Sequence, residues 1–153
     1  MKILVAIGHV PDTTTKVRFD NNALSTENIQ WIINPWDELA LTRALELKEG
    51  GAGIDKISVV NVGGKNTEPT IRKALAIGAD DAYRIDAEAK DAYFVAKQVA
   101  ELAQKEAYDI VITGLENADF NGNIVGGLVA EMMDVAAVSA VSSLNIEGGA
   151  VKL

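Results

Sequence analysis

The stretch Asp109-Ile110-Val111-Ile112-Thr113-Gly114-Leu115-Glu116-Asn117-Ala118-Asp119-Phe120-Asn121-Gly122-Asn123 decides the fold. It opens on a short apolar run, Asp109 to Thr113, and passes into a polar loop rich in Gly and Asn. A segment of helical period follows, starting near Asn121 or Gly122 and carrying Val125, Leu128, Val129 and Met132 on one side. A continuous apolar run that stops at a turn before a helix is the pattern of a parallel strand buried on both faces. The same pattern recurs upstream. Lys2 to Ile7 (KILVAI) and Ile57 to Val62 (ISVVNV) are equally apolar, Ala82 to Ile85 is a weaker example, and Ala136 to Val141 is expected to be a further strand. Helical segments fill the intervals. The reading is α/β: a three-layer αβα sandwich around a Rossmann-like, mostly parallel sheet.

The helices carry start and stop signals. Asn34-Pro35-Trp36-Asp37-Glu38 places an N-cap residue before Pro, with acidic residues in the first turn where they oppose the helix dipole. Leu39, Ala40, Ala44 and Leu47 are expected inward, and Gly50-Gly51 ends the helix. A second helix opens near Asn66 or Thr67, turns Ile71, Ala74 and Leu75 inward and stops at Gly78. A third runs from about Asp91 to Glu106 with Phe94, Val95, Val99 and Leu102 inward.

Two stretches depart from the repeat. Gly8 to Asn34 holds short alternating runs, Val17-Arg18-Phe19 and Ile29-Gln30-Trp31-Ile32, around Asp20-Asn21-Asn22, and predicts a β-ribbon insert after the first strand. Leu144 to Glu147, Gly148-Gly149 and Ala150 to Leu153 predict a C-terminal hairpin whose second strand has barely begun when the chain ends, as if a longer protein were cut there. With no linker and no repeat, residues 1–153 read as a single α/β domain.

Composition removes several function classes. There is no cysteine and one histidine, which excludes disulfides, thiolate or multi-His metal sites and a Cys nucleophile. The formal net charge of -8 argues against a nucleic-acid partner. Apolar runs are strand-sized, so no membrane insertion is expected. The N-terminus enters a strand directly without a secretory pattern, and a cytoplasmic location is expected.

In an open parallel sheet, ligands bind outside the carboxyl ends of the strands. Three segments emerge there: Ala6-Ile7-Gly8-His9, Asn61-Val62-Gly63-Gly64, and Thr113 to Asn123. The last leads into a helix opening with Ile124-Val125-Gly126-Gly127, whose unpaired N–H groups would hold a phosphate. An ordinary strand-to-helix loop explains the same residues. Gly63-Gly64 either admits a ligand or makes a turn, and fits neither a dinucleotide fingerprint nor a P-loop. His9 has no orienting partner nearby in sequence, Asp12 with Thr13 to Thr15 reads as turn chemistry, and Glu68, Asp80 and Asp81 read as solvated. Trp31 and Trp36 read as core or interface anchors. No nucleophile–base–orienter set is present, so no catalytic residue is assigned.

Taken together, these motifs resemble the beta subunit of electron transfer flavoproteins along the whole chain. The resemblance runs through Ile3-Leu4-Val5-Ala6 with Asp12, Lys16 and Arg18, through Asn34-Pro35-Trp36-Asp37-Glu38-Leu39-Ala40 and Ala44 to Glu49, through Thr70-Ile71-Arg72-Lys73-Ala74-Leu75-Ala76-Ile77-Gly78-Ala79-Asp80, and through Asp109 to Gly114 with Asp119 and Asn123. It implies an electron carrier without substrate chemistry of its own, paired with an alpha subunit and serving flavin dehydrogenases. It implies one FAD shared with alpha, and AMP or a second FAD in this domain. The cofactor-binding residues carried over are Ala6, Ile7, Gly8, Asn34, Val62, Gly63, Gly114, Asp119, Asn123, Ile124 and Val125. Two departures stand out: Ile124-Val125 replaces the family's usual Gln-Thr pair, and Gly8-His9 its usual Lys-Arg pair. Family members also continue well beyond this length, into a segment that docks on alpha and carries the loop recognising dehydrogenases. Other readings of the same fold are a stand-alone stress-type adenine-nucleotide sensor and a structural module with an empty site.

Overall fold

Hydrophobic alternation dictates which face each strand turns to which helix. In the computed structural model, which describes residues 1–25 and 27–153, the elements in chain order are β1 (Lys2–Ala6), β2 (His9–Pro11), β3 (Phe19–Asp20), β4 (Ala23–Leu24), β5 (Trp31–Ile33), α1 (Pro35–Glu49), β6 (Lys56–Val62), a 3-10 turn (Lys65–Thr67), α2 (Glu68–Ile77), β7 (Asp81–Ile85), α3 (Ala92–Lys105), β8 (Ile110–Ile112), α4 (Val125–Met133), β9 (Asn145–Glu147) and β10 (Ala150–Lys152). β1, β6, β7 and β8 form a parallel sheet in the order β7-β6-β1-β8. Ile3, Val5 and Ile7 pack on one face with Leu41, Ala44 and Leu47 of α1 and Ile71 and Ala74 of α2. Leu4 and Val60 face the other way, onto Ala96, Val99, Ala100 and Ala103 of α3 and Val129 of α4. The expected three-layer sandwich is present. Burying each large aliphatic side chain contributes roughly 1.5–3 kcal/mol, which is what fixes this alternation.

The strand order positions the site. After β1 the chain builds β6 and β7 outward on one side, then returns to place β8 on the other side of β1. The order reverses between β1 and β8, and a crevice opens outside their carboxyl ends.

Several expectations are corrected. Ala136 to Val141 is not a strand. Asp134 and Ala140 both have left-handed backbone (φ 54°), which breaks an extended run at each end, and Val138 is 64% exposed with no strand beside it. The ribbon insert forms in two pieces rather than one. Asn21 and Asn22 both have positive φ (50° and 64°), the geometry of a tight two-residue turn, so Phe19 pairs with Leu24 at once. Trp31–Ile33 returns instead to pair with His9–Pro11 at the ribbon's base. In α1, Ala44 and Leu47 are inward as expected, but Leu41 takes the place expected of Leu39, which is 61% exposed; in α2, Thr70 is buried and Leu75 is partly exposed. α4 starts at Val125, later than the loop composition suggests, because Asn121 turns the chain through a positive φ of 57°. The C-terminal hairpin forms as expected, over Gly148 and Gly149 with φ of 59° and 82°. Arg43 of α1 ties it down by donating to the Leu144 carbonyl and Asn145 Oδ1.

Candidate functional site

A cleft of about 840 Å³ lies at the carboxyl edge of the sheet. Its floor is Ala6 to Val10 and Val60 to Gly64, and one wall is the loop and helix start from Thr113 to Gly126. The chain before and at the start of α3, from Glu88 to Ala92, closes the other side. Of the residues singled out by sequence, Ala6, Ile7, Gly8, Val62, Gly63, Gly114, Asp119, Asn123, Ile124 and Val125 all line this cleft. Asn34 does not line it. It is fully buried behind the wall.

Asn34 ends up there because of what its side chain bonds. It stands at the N-cap position of α1 but makes no side-chain cap. Instead its Nδ2 donates to the Glu116 carbonyl (2.8 Å) and its Oδ1 accepts from the Ala118 N–H (3.1 Å). One turn into α1, Asp37 extends the same grip. Its Oδ2 accepts from the Gly8 N–H at 2.7 Å and its Oδ1 from the Gly114 N–H at 2.9 Å. Sequence reasoning took Asp37 only as a first-turn acid, since nothing in a linear motif shows a side chain bonding residues 29 and 77 positions away. Burial pushes its carboxyl up to about 6, against the lowering effect of the Gly8 N–H, Asn34 and the Gly114 N–H.

The glycines divide by what surrounds them. A Cβ at Gly114 would sit 2.2 Å from Asp37 Oδ1 and 2.9 Å from the Asp37 nitrogen, so only hydrogen fits. A Cβ at Gly126 would sit 2.7 Å from Thr113 Oγ1, so this glycine lets α4 abut the end of β8. Gly127, next to it, faces open space. Gly63 packs on Thr67, whose methyl would be 2.5 Å from an added Cβ.

The first intrahelical bond of α4 runs from the Leu128 N–H to the Ile124 carbonyl. The N–H groups of Val125, Gly126 and Gly127 are therefore outside the helix ladder, beside the cleft. The loop before them closes on itself through Asn117 N–H to Gly122 carbonyl and Asn121 N–H to Asn117 carbonyl. Charge in the cleft is mostly negative. Asp37, Glu88, Asp91, Glu116 and Asp119 line it, and Lys90 is the one Lys or Arg among the described lining residues.

His9 has more support than its sequence neighbourhood suggests. Its Nδ1 lies 2.8 Å from Thr70 Oγ1 of α2, and its ring stacks on Trp31 at 4.5 Å. Burial lowers its pKa, so it adds no positive charge at neutral pH. Two cleft-lining side chains carry buried polar atoms without a partner, His9 Nε2 and Asn61 Oδ1, while Asn61 Nδ2 donates to the Ile7 carbonyl at 2.8 Å. Asp12 forms the expected local turn, accepting from the Thr14 N–H and hydroxyl. Asp80 is not simply solvated: it accepts from the Ile57 N–H and holds Lys48. Among the described residues there is no cluster of metal-ligating side chains and no helix long and apolar enough to cross a membrane.

Comparison with known proteins matches residues 22–153 to the electron transfer flavoprotein domain family. The chain is 39% identical to the electron transfer flavoprotein subunit beta of Thermoanaerobacterium thermosaccharolyticum, over 97% of this chain and 58% of that protein. It is 33% identical to that of Bradyrhizobium diazoefficiens, over 100% of this chain and 62% of that protein. The subunit of Sus scrofa is 31% identical with the same coverage. The chain thus spans about three-fifths of the length of these relatives. It belongs to the electron transfer flavoprotein domain family and, within that family, is similar to the beta subunits.

Proposed function

We propose that this chain serves as the beta-type subunit of a heterodimeric electron transfer flavoprotein in the cytoplasm, carrying electrons between flavin dehydrogenases and their acceptors without substrate chemistry of its own. In this reading one FAD is shared with an alpha subunit, and the cleft takes an adenine nucleotide, either AMP or the adenosine part of a second FAD. The observation that carries it is the cleft itself: about 840 Å³, at the reversal of strand order, walled by the free first turn of α4. That volume lies inside the range of small-molecule and cofactor sites.

The residues present fit one phosphate better than several. The N–H groups of Val125 and Gly126 would hold it through backbone alone, which needs no polar side chain at Ile124 or Val125. Five carboxylates against one lysine disfavour a polyphosphate. Asn61 Oδ1, buried and unpartnered, would accept from a ligand hydroxyl or amine. A bound flavin would supply the redox chemistry, whereas AMP would fill and order the cleft. This chain's part is to bind, orient and exclude water.

The test is mass spectrometry of small molecules released on denaturing the protein purified with its alpha partner. AMP, or FAD in excess of one per heterodimer, is expected. One FAD alone, with no adenine mononucleotide, would make this domain a structural module and overturn the reading of the cleft.

A further inference from the structure

The β1–β8 ladder ends with Val5 opposite Ile112. Beyond that pair the two chains part to form the cleft, and Gly8 and Gly114 lie one on each side of the gap. One carboxylate spans it. Asp37 is 6% exposed, accepts the Gly8 and Gly114 N–H groups on its two oxygens, and has no cationic partner among the described residues. A buried anion without a countercharge is costly, so this is an unusual choice for a merely structural cross-link. Its geometry does what a neutral side chain cannot. Two backbone donors converge on the carboxylate, and only an ionised carboxyl offers a full acceptor to each. An amide in its place would turn an N–H₂ group toward one of the two donors.

We infer that Asp37 is the positioning residue of the cleft: its ionised carboxylate fixes the separation of the β1 and β8 walls, and protonation releases one of them. A protonated carboxyl keeps one good acceptor and gives the other oxygen a hydrogen, so either Gly8 or Gly114 loses its partner. Gly114 is the root of the loop that leads to α4, so its release would displace the whole wall of the cleft from Thr113 to Gly126. The titratable groups on the elements packed around Asp37 do not replace it. His9, next to Gly8, has its pKa lowered by burial and turns its Nδ1 to Thr70 Oγ1 of α2, not to the strap. Glu116 and Asp119 on the loop are carboxyl side chains too and supply no countercharge. Glu38, on α1, is taken up by Lys73 of α2 at 2.8 Å. The raised carboxyl, near 6, brings the release into a mildly acidic range. The consequence for ligand affinity rests on the nucleotide reading above; the strap between the two walls does not.

The experiment follows the Gly8 and Gly114 amide resonances of the whole chain by NMR between pH 5 and 8, alongside adenosine titrations. Adenosine is chosen because it has no phosphate to titrate. In the wild type both amides are expected to shift together with one midpoint near 6. In Asp37→Asn that shared transition is absent, while in Asp37→Glu a shared transition returns. Adenosine affinity is expected to fall about tenfold in the wild type from pH 7.5 to 5, and to be low and flat with pH in Asp37→Asn, the size of one charge-assisted hydrogen bond. If the two amides do not titrate together, the inference is wrong. It is also wrong if they do, yet adenosine binds equally to the wild type and Asp37→Asn at every pH. If the amides titrate together and adenosine and AMP bind to neither protein, the strap stands and the nucleotide reading falls.

Discussion

The two edges of the sheet are cross-linked by different chemistry. At the amino edge the links are charged and half-exposed. The Lys2 N–H donates to Asp109, the Ile57 N–H to Asp80, and Lys48 and Lys56 pair with Asp80 and Asp81. At the carboxyl ends of β1 and β8 the links are buried and lack counterions: Asp37 to Gly8 and Gly114, Asn34 to the loop, and Asn61 to the Ile7 carbonyl. At the far side, beside β6 and β7, an ionic link recurs, Arg84 to the Gly63 carbonyl and Asp86. Exposed pairs contribute little and tolerate movement, because water and salt screen them. Buried straps admit one geometry and leave an unsatisfied group when broken. The contrast teaches where precision is invested. The edge that only has to stay closed uses ion pairs, and the gap between β1 and β8 that opens into the cleft uses straps.

The pKa shifts carry the same contrast with opposite sign. Asp37 is raised by burial to about 6. Asp80 is lowered: burial acts to raise it, and Lys48 and the Ile57 N–H outweigh that.

The largest expected effect is from Gly114→Ala, whose Cβ has no room against Asp37 and Trp36. Equilibrium denaturation should show a loss of about 3 kcal/mol, typical of overpacking a closed site. Gly127→Ala, on the same stretch but facing open space, should be neutral or stabilising. Equal losses from both would erase the distinction drawn between these glycines.

Next in size is the pH dependence of Asp37. Because folding raises its pKa, the folded protein holds this proton more tightly than the unfolded chain. The resulting stabilisation is complete below the unfolded value of 3.8 and is lost as pH rises through about 6. The wild type should therefore gain stability relative to Asp37→Asn as pH falls from 7.5 to 4, by about 2–3 kcal/mol. A constant difference across that range would mean that Asp37 is not a buried, uncompensated carboxylate.

Asn34→Ala should cost about 2 kcal/mol, since the Glu116 carbonyl and Ala118 N–H lose a fully buried partner. Hydrogen exchange should rise in the loop from Gly114 to Asn123 and stay unchanged in β6 and β7. Smallest is Asp80→Asn at the opposite edge, about 1 kcal/mol, with the ionic part screened. Its sign is reversed. Asp80 stabilises above the unfolded carboxylate range and loses that contribution as pH falls through its lower folded value, so the Asp80→Asn deficit should shrink in acid and in high salt.

Much of this was legible in the sequence, and the reason is local. β1, β6, β7 and β8 are runs whose burial alone specifies them, and the helices between them announce their ends through Pro35, Asp91, Gly50 and Gly78. The residues that line the cleft were legible because strand ends and their loops must meet at one edge. What failed was what depends on partners. Ala136 to Val141 has a strand's composition but no neighbour to bond with. Asn34 was correctly seen at a helix start, yet its side chain serves a loop 82 and 84 positions away. Asp37 was hidden because a first-turn acid needs no further explanation. The one available hint was Asn34 and Asp37 three residues apart at the start of α1, together with a glycine two residues after each of β1 and β8.

The most direct test of the central claim is to map AMP onto the chain by amide chemical-shift perturbation at pH 7.5. Saturable shifts are expected at Gly8, Gly63, Gly114 and Asn123 to Gly127, with the amino-edge residues Ile57, Asp80 and Asp109 unmoved. Shifts centred away from the carboxyl edge, or none at millimolar AMP, would contradict it.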